Sequence, residues 1–166
     1  MNAKWNKCKI ITIESSLTLT LTLTLAFVIT ACSGGSDMTK IVATETCSLD
    51  NVGGSISNVP IIAANSNSEI IFQGWIADTI NKKIPKKINL ELVNSKNQVE
   101  YIQNGNVGIK RPDVATVFNS SELENSGYEI KTNLKEIKLG DYDILLTASY
   151  DEIIMICKTN RKLIIK

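Results

Sequence analysis

Four cysteines, a lysine cluster, two pairs of carboxylates and a tryptophan beside a glycine are the residues of this chain whose types could do chemistry. None of its 166 residues is a histidine. That removes Ser–His and Cys–His nucleophile pairs, histidine zinc sites and the commonest general base. The serines have no lysine base in a Ser-x-x-Lys arrangement either. Asp141 and Asp143 lie two apart on a candidate strand and so share a face, with Asp151 and Glu152 at what reads as a neighbouring turn. Such carboxylates could gather a calcium ion or carry out glycoside hydrolysis. No glycine-spaced ligand loop surrounds them, and the hydrolytic reading needs a cleft, so no catalytic and no metal-ligating residue is assigned. Lys82, Lys83, Lys86 and Lys87 form the densest charge run, NKKIPKK. A solvated turn is the plain reading of that run, and contact with an anionic glycan or lipid headgroup the functional one. Trp75 could stack on a sugar ring, though a tryptophan in a strand more often packs in a core. These five residues are the possible ligand-binding positions.

Composition sets the frame in which such residues would work. The chain is 43% hydrophobic and 21% charged with a formal net charge of +1. That balance suits a folded domain rather than a disordered chain. It supplies no general field for binding nucleic acid. The N-terminus is different. Lys4, Lys7 and Lys9 precede an apolar run from Leu17 to Ile29, LTLTLTLTLAFVI. Thirteen residues fall short of the roughly 20 needed to span a bilayer as a helix. A basic start, a short apolar run and small residues beyond it read as a secretory signal, with Glu14 a mild departure. The Leu–Thr alternation would suggest a strand elsewhere, but position and the basic flank override it.

The run ends in Ile29-Thr30-Ala31-Cys32, followed by Ser33-Gly34-Gly35-Ser36. This resembles the lipobox of bacterial lipoproteins. The resemblance implies cleavage before Cys32, a diacylglycerol on its sulfur and acylation of the new amine. One acyl chain holds a protein only marginally, whereas several on one cysteine hold it firmly without a transmembrane helix. Ser33 is by resemblance a residue that permits sorting to an outer membrane. The expected organisation is a signal peptide over 1–31, a lipidated flexible tether over 32–46 and a domain over 47–166. Losing Lys4, Lys7, Lys9 and Glu14 with the signal leaves acidic and basic residues nearly balanced.

With Cys8 discarded and Cys32 acylated, Cys47 and Cys157 remain. Two cysteines in an exported chain are most simply paired. A redox-active pair would be expected as Cys-x-x-Cys, and a metal site would need further ligands. The pairing would tie the first and last strands of the domain.

Those strands are read from alternation and turn residues. Candidates are 56–64 (interrupted by Pro60), 69–78, 88–93, 99–103, 128–134, 141–150, 152–158 and 162–165. The run EIIFQGWIAD over 69–78 is apolar on both faces and suits a central strand. Only 111–125 looks helical, with Pro112 fitting a first turn. The pattern predicts an all-β antiparallel sandwich with one short helical segment.

Several fragments resemble a bacterial immunoglobulin-like β-sandwich module found in exported and envelope proteins. They are Gly74-Trp75-Ile76-Ala77-Asp78, Pro85, Arg111-Pro112-Asp113-Val114-Ala115, Phe118, Ser126-Gly127-Tyr128, Leu134 and Gly140-Asp141-Tyr142. Asp141-Tyr142 departs from the histidine many members carry there. The resemblance implies a fold, with no cofactor and no activity attached. The function expected is a membrane-anchored, non-catalytic binding or structural module of the cell envelope, held to the membrane by its N-terminal lipid. The alternatives are an accessory subunit of an envelope glycan-processing or export complex, and a carbohydrate-binding module. A protein or glycan partner in the envelope, and no nucleic acid, follows from either.

Overall fold

The longest strand among the described residues is the last of them, and it pairs with three others. A computed structural model describes residues 39–56 and 59–166. The signal segment 1–31, the lipobox and Cys32 lie outside the described residues. The strands are β1 (Lys40–Thr44), β2 (Cys47–Val52), β3 (Ser55–Ile56), β4 (Ile61–Ala64), β5 (Glu69–Ile76), β6 (Lys87–Val93), β7 (Val99–Ile109), β8 (Gly127–Asn133), β9 (Gly140–Tyr150) and β10 (Ile153–Ile165). One α-helix, α1 (Pro112–Val117), and single 3-10 turns at Ser121–Leu123 and Leu134–Glu136 complete the set. The fold is all-β with little helix.

The strands form one curled sheet in the order β1-β10-β9-β6-β7-β8-β5-β2-β3, with β4 also on β10. The curl turns on β7. Residues 99–105 of β7 pair with β6, and 106–109 pair with β8. Gly105 stands at the change of partner. A Cβ there would fall 2.3 Å from Cγ1 of Ile130 and 3.0 Å from Cγ2 of Ile88, side chains of β8 and β6. Only glycine lets the strand pass this close to both.

Alternation places the core inside the curl. Ile88, Leu90 and Leu92 of β6, Tyr142, Ile144, Leu146 and Ala148 of β9, and Tyr128 and Ile130 of β8 are buried on one face of their strands. Phe72 is fully buried in β5. These residues belong to one continuous apolar cluster. Deleting a single such aromatic side chain typically costs about 3–5 kcal/mol.

Four expectations need correction. The sheet is mixed rather than antiparallel, because β1 and β4 both run parallel to β10. The β5 run is not apolar-buried on both sides: Ile70, Phe72, Gly74 and Ile76 are buried, while Ile71, Gln73 and Trp75 are only partly covered. The stretches 152–158 and 162–165 are one strand, broken by an irregularity and not by a turn. Finally, β1 falls within the segment expected to be a flexible tether. Ile41 and Val42 are too few to signal a strand alone, but Lys40 N–H donates to Glu152 O at 2.8 Å and β10 supplies the rest of the ladder.

Candidate functional site

The two ends of the curled sheet meet where β2 passes β10. Cys47 of β2 and Cys157 of β10 are disulfide-bonded there, with Cα atoms 6.3 Å apart. The bridge thus ties the second strand, not the first, to the last. Beside it β10 departs from regular pairing. Lys158 faces Leu145 and Lys162 faces Asp143, so residues 159–161 stand opposite Ile144 alone. Asn160 has φ 55°. Such bulges bend a strand and re-aim a side chain.

The buried side chain at this bulge is Arg161, only 5% exposed. Its Nη1 donates to Leu49 O of β2 at 2.9 Å and its Nε to Val59 O at 3.1 Å. Burial pulls its pKa down, and the fields of Tyr128 and Asp50 act against that. Nη2 has no partner among the described residues. Arg161 and the disulfide together clamp the seam. A groove of about 1110 Å³ opens over it, lined by Thr44, Glu45, Ser48, Pro60, Lys158 and Asn160 among others. Its hydroxyls, amide and opposed charges can bind a polar ligand. They offer no nucleophile with a positioned base.

A second cluster gathers part of the residues singled out in the sequence, Gly74, Trp75, Arg111, Asp113, Phe118 and Tyr128. Gly74 of β5 lies so close to β2 that a Cβ would fall 1.9 Å from Ser48 O, and Tyr128 OH donates to that same oxygen at 3.0 Å. An irregularity between Leu49 and Asn51 leaves Asp50 out of the ladder. Asp50 accepts from Nη1 of Arg111 at 2.6 Å, while Asp113 accepts from Nε and Nη2 of the same guanidinium at 2.9 and 2.6 Å. Arg111 holds the Asp113 carboxyl down to about 2, chiefly through its hydrogen bonds; burial opposes them, and the charge of Arg111 adds a smaller lowering. Burial drives the Tyr128 phenol well above its usual range. Trp75 sits edge-on to Phe118 with centroids 5.6 Å apart and packs on a small cluster of Ala77, Val114 and Leu123. These residues, scattered through the sequence, converge on one joint that holds α1 and β8 to β2 and β5.

The lysine run is spread over a turn and the strand that follows. Asp78 and Lys83 exchange both backbone hydrogen bonds, which closes the turn. Asp78 Oδ1 accepts from the N–H groups of Ile80 and Asn81, and Oδ2 accepts from Tyr150 OH. Burial alone would raise the Asp78 pKa, but these donors outweigh it and lower it. Tyr150 is pushed up to about 12, chiefly by burial and then by Asp78. Lys82 and Lys83 are exposed on the turn, and Lys87 is exposed at the start of β6. Lys86 is exposed and pairs with Asp151 at 2.7 Å.

Asp141 and Asp143 are exposed on one face of β9, as their spacing implied. Asp143 pairs with Lys162 at 3.4 Å. Asp151 and Glu152, however, follow the far end of β9. The eight residues from Asp143 to Asp151 span roughly 26 Å in a strand, so the four carboxylates do not converge.

The seam was found only in part from the sequence. Counting cysteines located the bridge, but Arg161 was missed. A signal existed: from Ile153 to Ile165 the odd-numbered positions face inward, and Arg161 occupies one of them. Comparison with protein-family models, curated proteins and solved structures finds no match to this chain.

Proposed function

We propose that the protein is a lipid-anchored, non-catalytic binding or structural module of the bacterial cell envelope. The observation that carries this reading is the Cys47–Cys157 bridge at the seam of the sheet. Structural disulfides persist in oxidising compartments outside the cytosol, which agrees with the secretory signal read from the N-terminus. The sequence adds that Cys32 precedes the first strand by only eight residues. The anchor and the folded unit are therefore nearly contiguous.

The immunoglobulin-like assignment belongs to the same reading. Its support is the convergence of Gly74, Arg111, Asp113 and Tyr128 on one joint, together with Tyr142. The hydroxyl of Tyr142, near the start of β9, donates back to Lys138 O at 2.9 Å. A tyrosine returning to the backbone a few residues upstream is a corner device of such sandwiches.

The test is membrane retention. Wild-type protein expressed in a bacterium should incorporate labelled palmitate and sediment with membranes, and Cys32→Ser should do neither. Retention of unlabelled Cys32→Ser on membranes would overturn the anchor.

A further inference from the structure

Resting on the lipid-anchor reading, we infer that the outer face of β10 and its parallel partners is a docking surface for the bilayer that holds the anchor. Pairing registers define this face. Ile154 and Ile156 of β10 lie beside Ile41 and Ala43 of β1, and Ile164 lies beside Ala63 of β4. Their odd-numbered neighbours Met155, Leu163 and Ile165 point into the core. Ile41 is 66% exposed and Ile61, two residues before Ala63, is 52% exposed. Isoleucines grouped at both ends of this face, with exposed Ile41 and Ile61 beside them, are unusual for a surface in contact with water alone.

Chain length selects the occupant. Eight residues from Cys32 to Lys40 reach about 27 Å at full extension, and less in any real conformation. They enter the domain at Lys40, one residue from Ile41. A tether this short gives the face an effective concentration at the membrane in the millimolar range. A contact far too weak to recruit the domain from solution then suffices to lay it on the surface. Lys158 and Lys162 stand between the two isoleucine groups on the same face, where their long stems can hold the ammonium groups at headgroup level. Asp143, paired with Lys162, and Asp141 lie on β9 at the same face. The charges nearly offset, so the contact is apolar in origin and insensitive to salt.

The experiment uses the full, acylated protein in vesicles of phosphatidylethanolamine and phosphatidylglycerol, some with brominated acyl chains. In a Trp75→Phe background, Ile61→Trp places a reporter at the end of the face remote from the tether. Circular dichroism first establishes that each variant is folded. The expected result is quenching of the reporter by brominated lipid. Adding Ile41→Glu should abolish the quenching while the protein still sediments with vesicles. An unquenched reporter on protein that sediments with vesicles overturns the docking face, including the case where chemical crosslinking shows the face covered by a second copy. Failure of the acylated protein to remain with vesicles overturns instead the anchor on which the inference rests.

Discussion

Removing the Cys47–Cys157 bridge should cost the protein a large part of its stability, mostly through the unfolded chain. The two cysteines are 110 residues apart. Cross-linking a loop of that length removes about 4.7 kcal/mol of unfolded-state entropy by the chain-closure argument, and measured effects run smaller, about 2–5 kcal/mol. Total stabilities of single domains are about 5–15 kcal/mol, so the bridge is a substantial fraction. For a domain of this size each kcal/mol moves the melting temperature by about 4 °C. A Cys47→Ala/Cys157→Ala variant should therefore melt roughly 8–20 °C lower, yet remain folded. Its folded sheet keeps the Arg161 bonds across the same seam. A second signature separates this account from mere loss of packing. The unbridged chain exposes more surface when it unfolds, so the urea m-value should rise along with the loss of midpoint. Thermal melts and urea titrations of the wild type, the reduced wild type and the double variant measure both. A melting temperature within about 2 °C of wild type, or a large loss with unchanged m, would refute the reasoning.

Phe72→Ala should lose about 3–5 kcal/mol in urea titration, since Phe72 is fully buried among β5, β8 and β2; a loss below about 0.5 kcal/mol would mean that its face of β5 is not core. The ion pair of Arg111 with Asp113 should contribute at neutral pH and vanish in acid. The Asp113 carboxyl is held to about 2, below its unfolded value near 3.9, so its contribution is complete above about pH 4 and is lost as pH falls through 2. Asp113 is 61% exposed, and screening holds the contribution to at most about 1 kcal/mol. The stability difference between wild type and Asp113→Asn should accordingly be present at pH 6 and shrink as pH falls toward and through 2.

Local pattern made some elements of this fold legible and left others hidden. β6, β8 and β9 each present an unbroken alternation to one apolar core, so their faces were readable residue by residue. β1 was not, because its strand character comes from β10, more than a hundred residues away. Nor could parallel pairing be read, since strand periodicity is the same in either direction. The second half of β7, Asn106-Val107-Gly108-Ile109, carries asparagine and glycine that read as a turn, yet it continues as a strand because β8 gives it a new partner. At the seam, the cysteines were countable, and Arg161 sits at an inward position of the alternation, but an arginine there does not read as core. Gly74, Arg111 and Tyr128 stand far apart in the sequence. Only the structure shows that they meet, and that their meeting is a joint.

β10 gives these pieces a common cause. Its first half holds β1, its second half β4, and its other edge β9. The bulge between the halves opens a space that neither β1 nor β4 fills, since β1 ends opposite Cys157 and β4 begins opposite Lys162. Arg161 turns inward at this gap and Cys157 stands beside it, so the interruption of the ladder is what lets β10 be fastened to β2. The second strand, β2, is thus fastened to β10 by contacts between residues 110 apart in sequence. Contacts this distant in sequence make folding slow relative to helical domains of similar size.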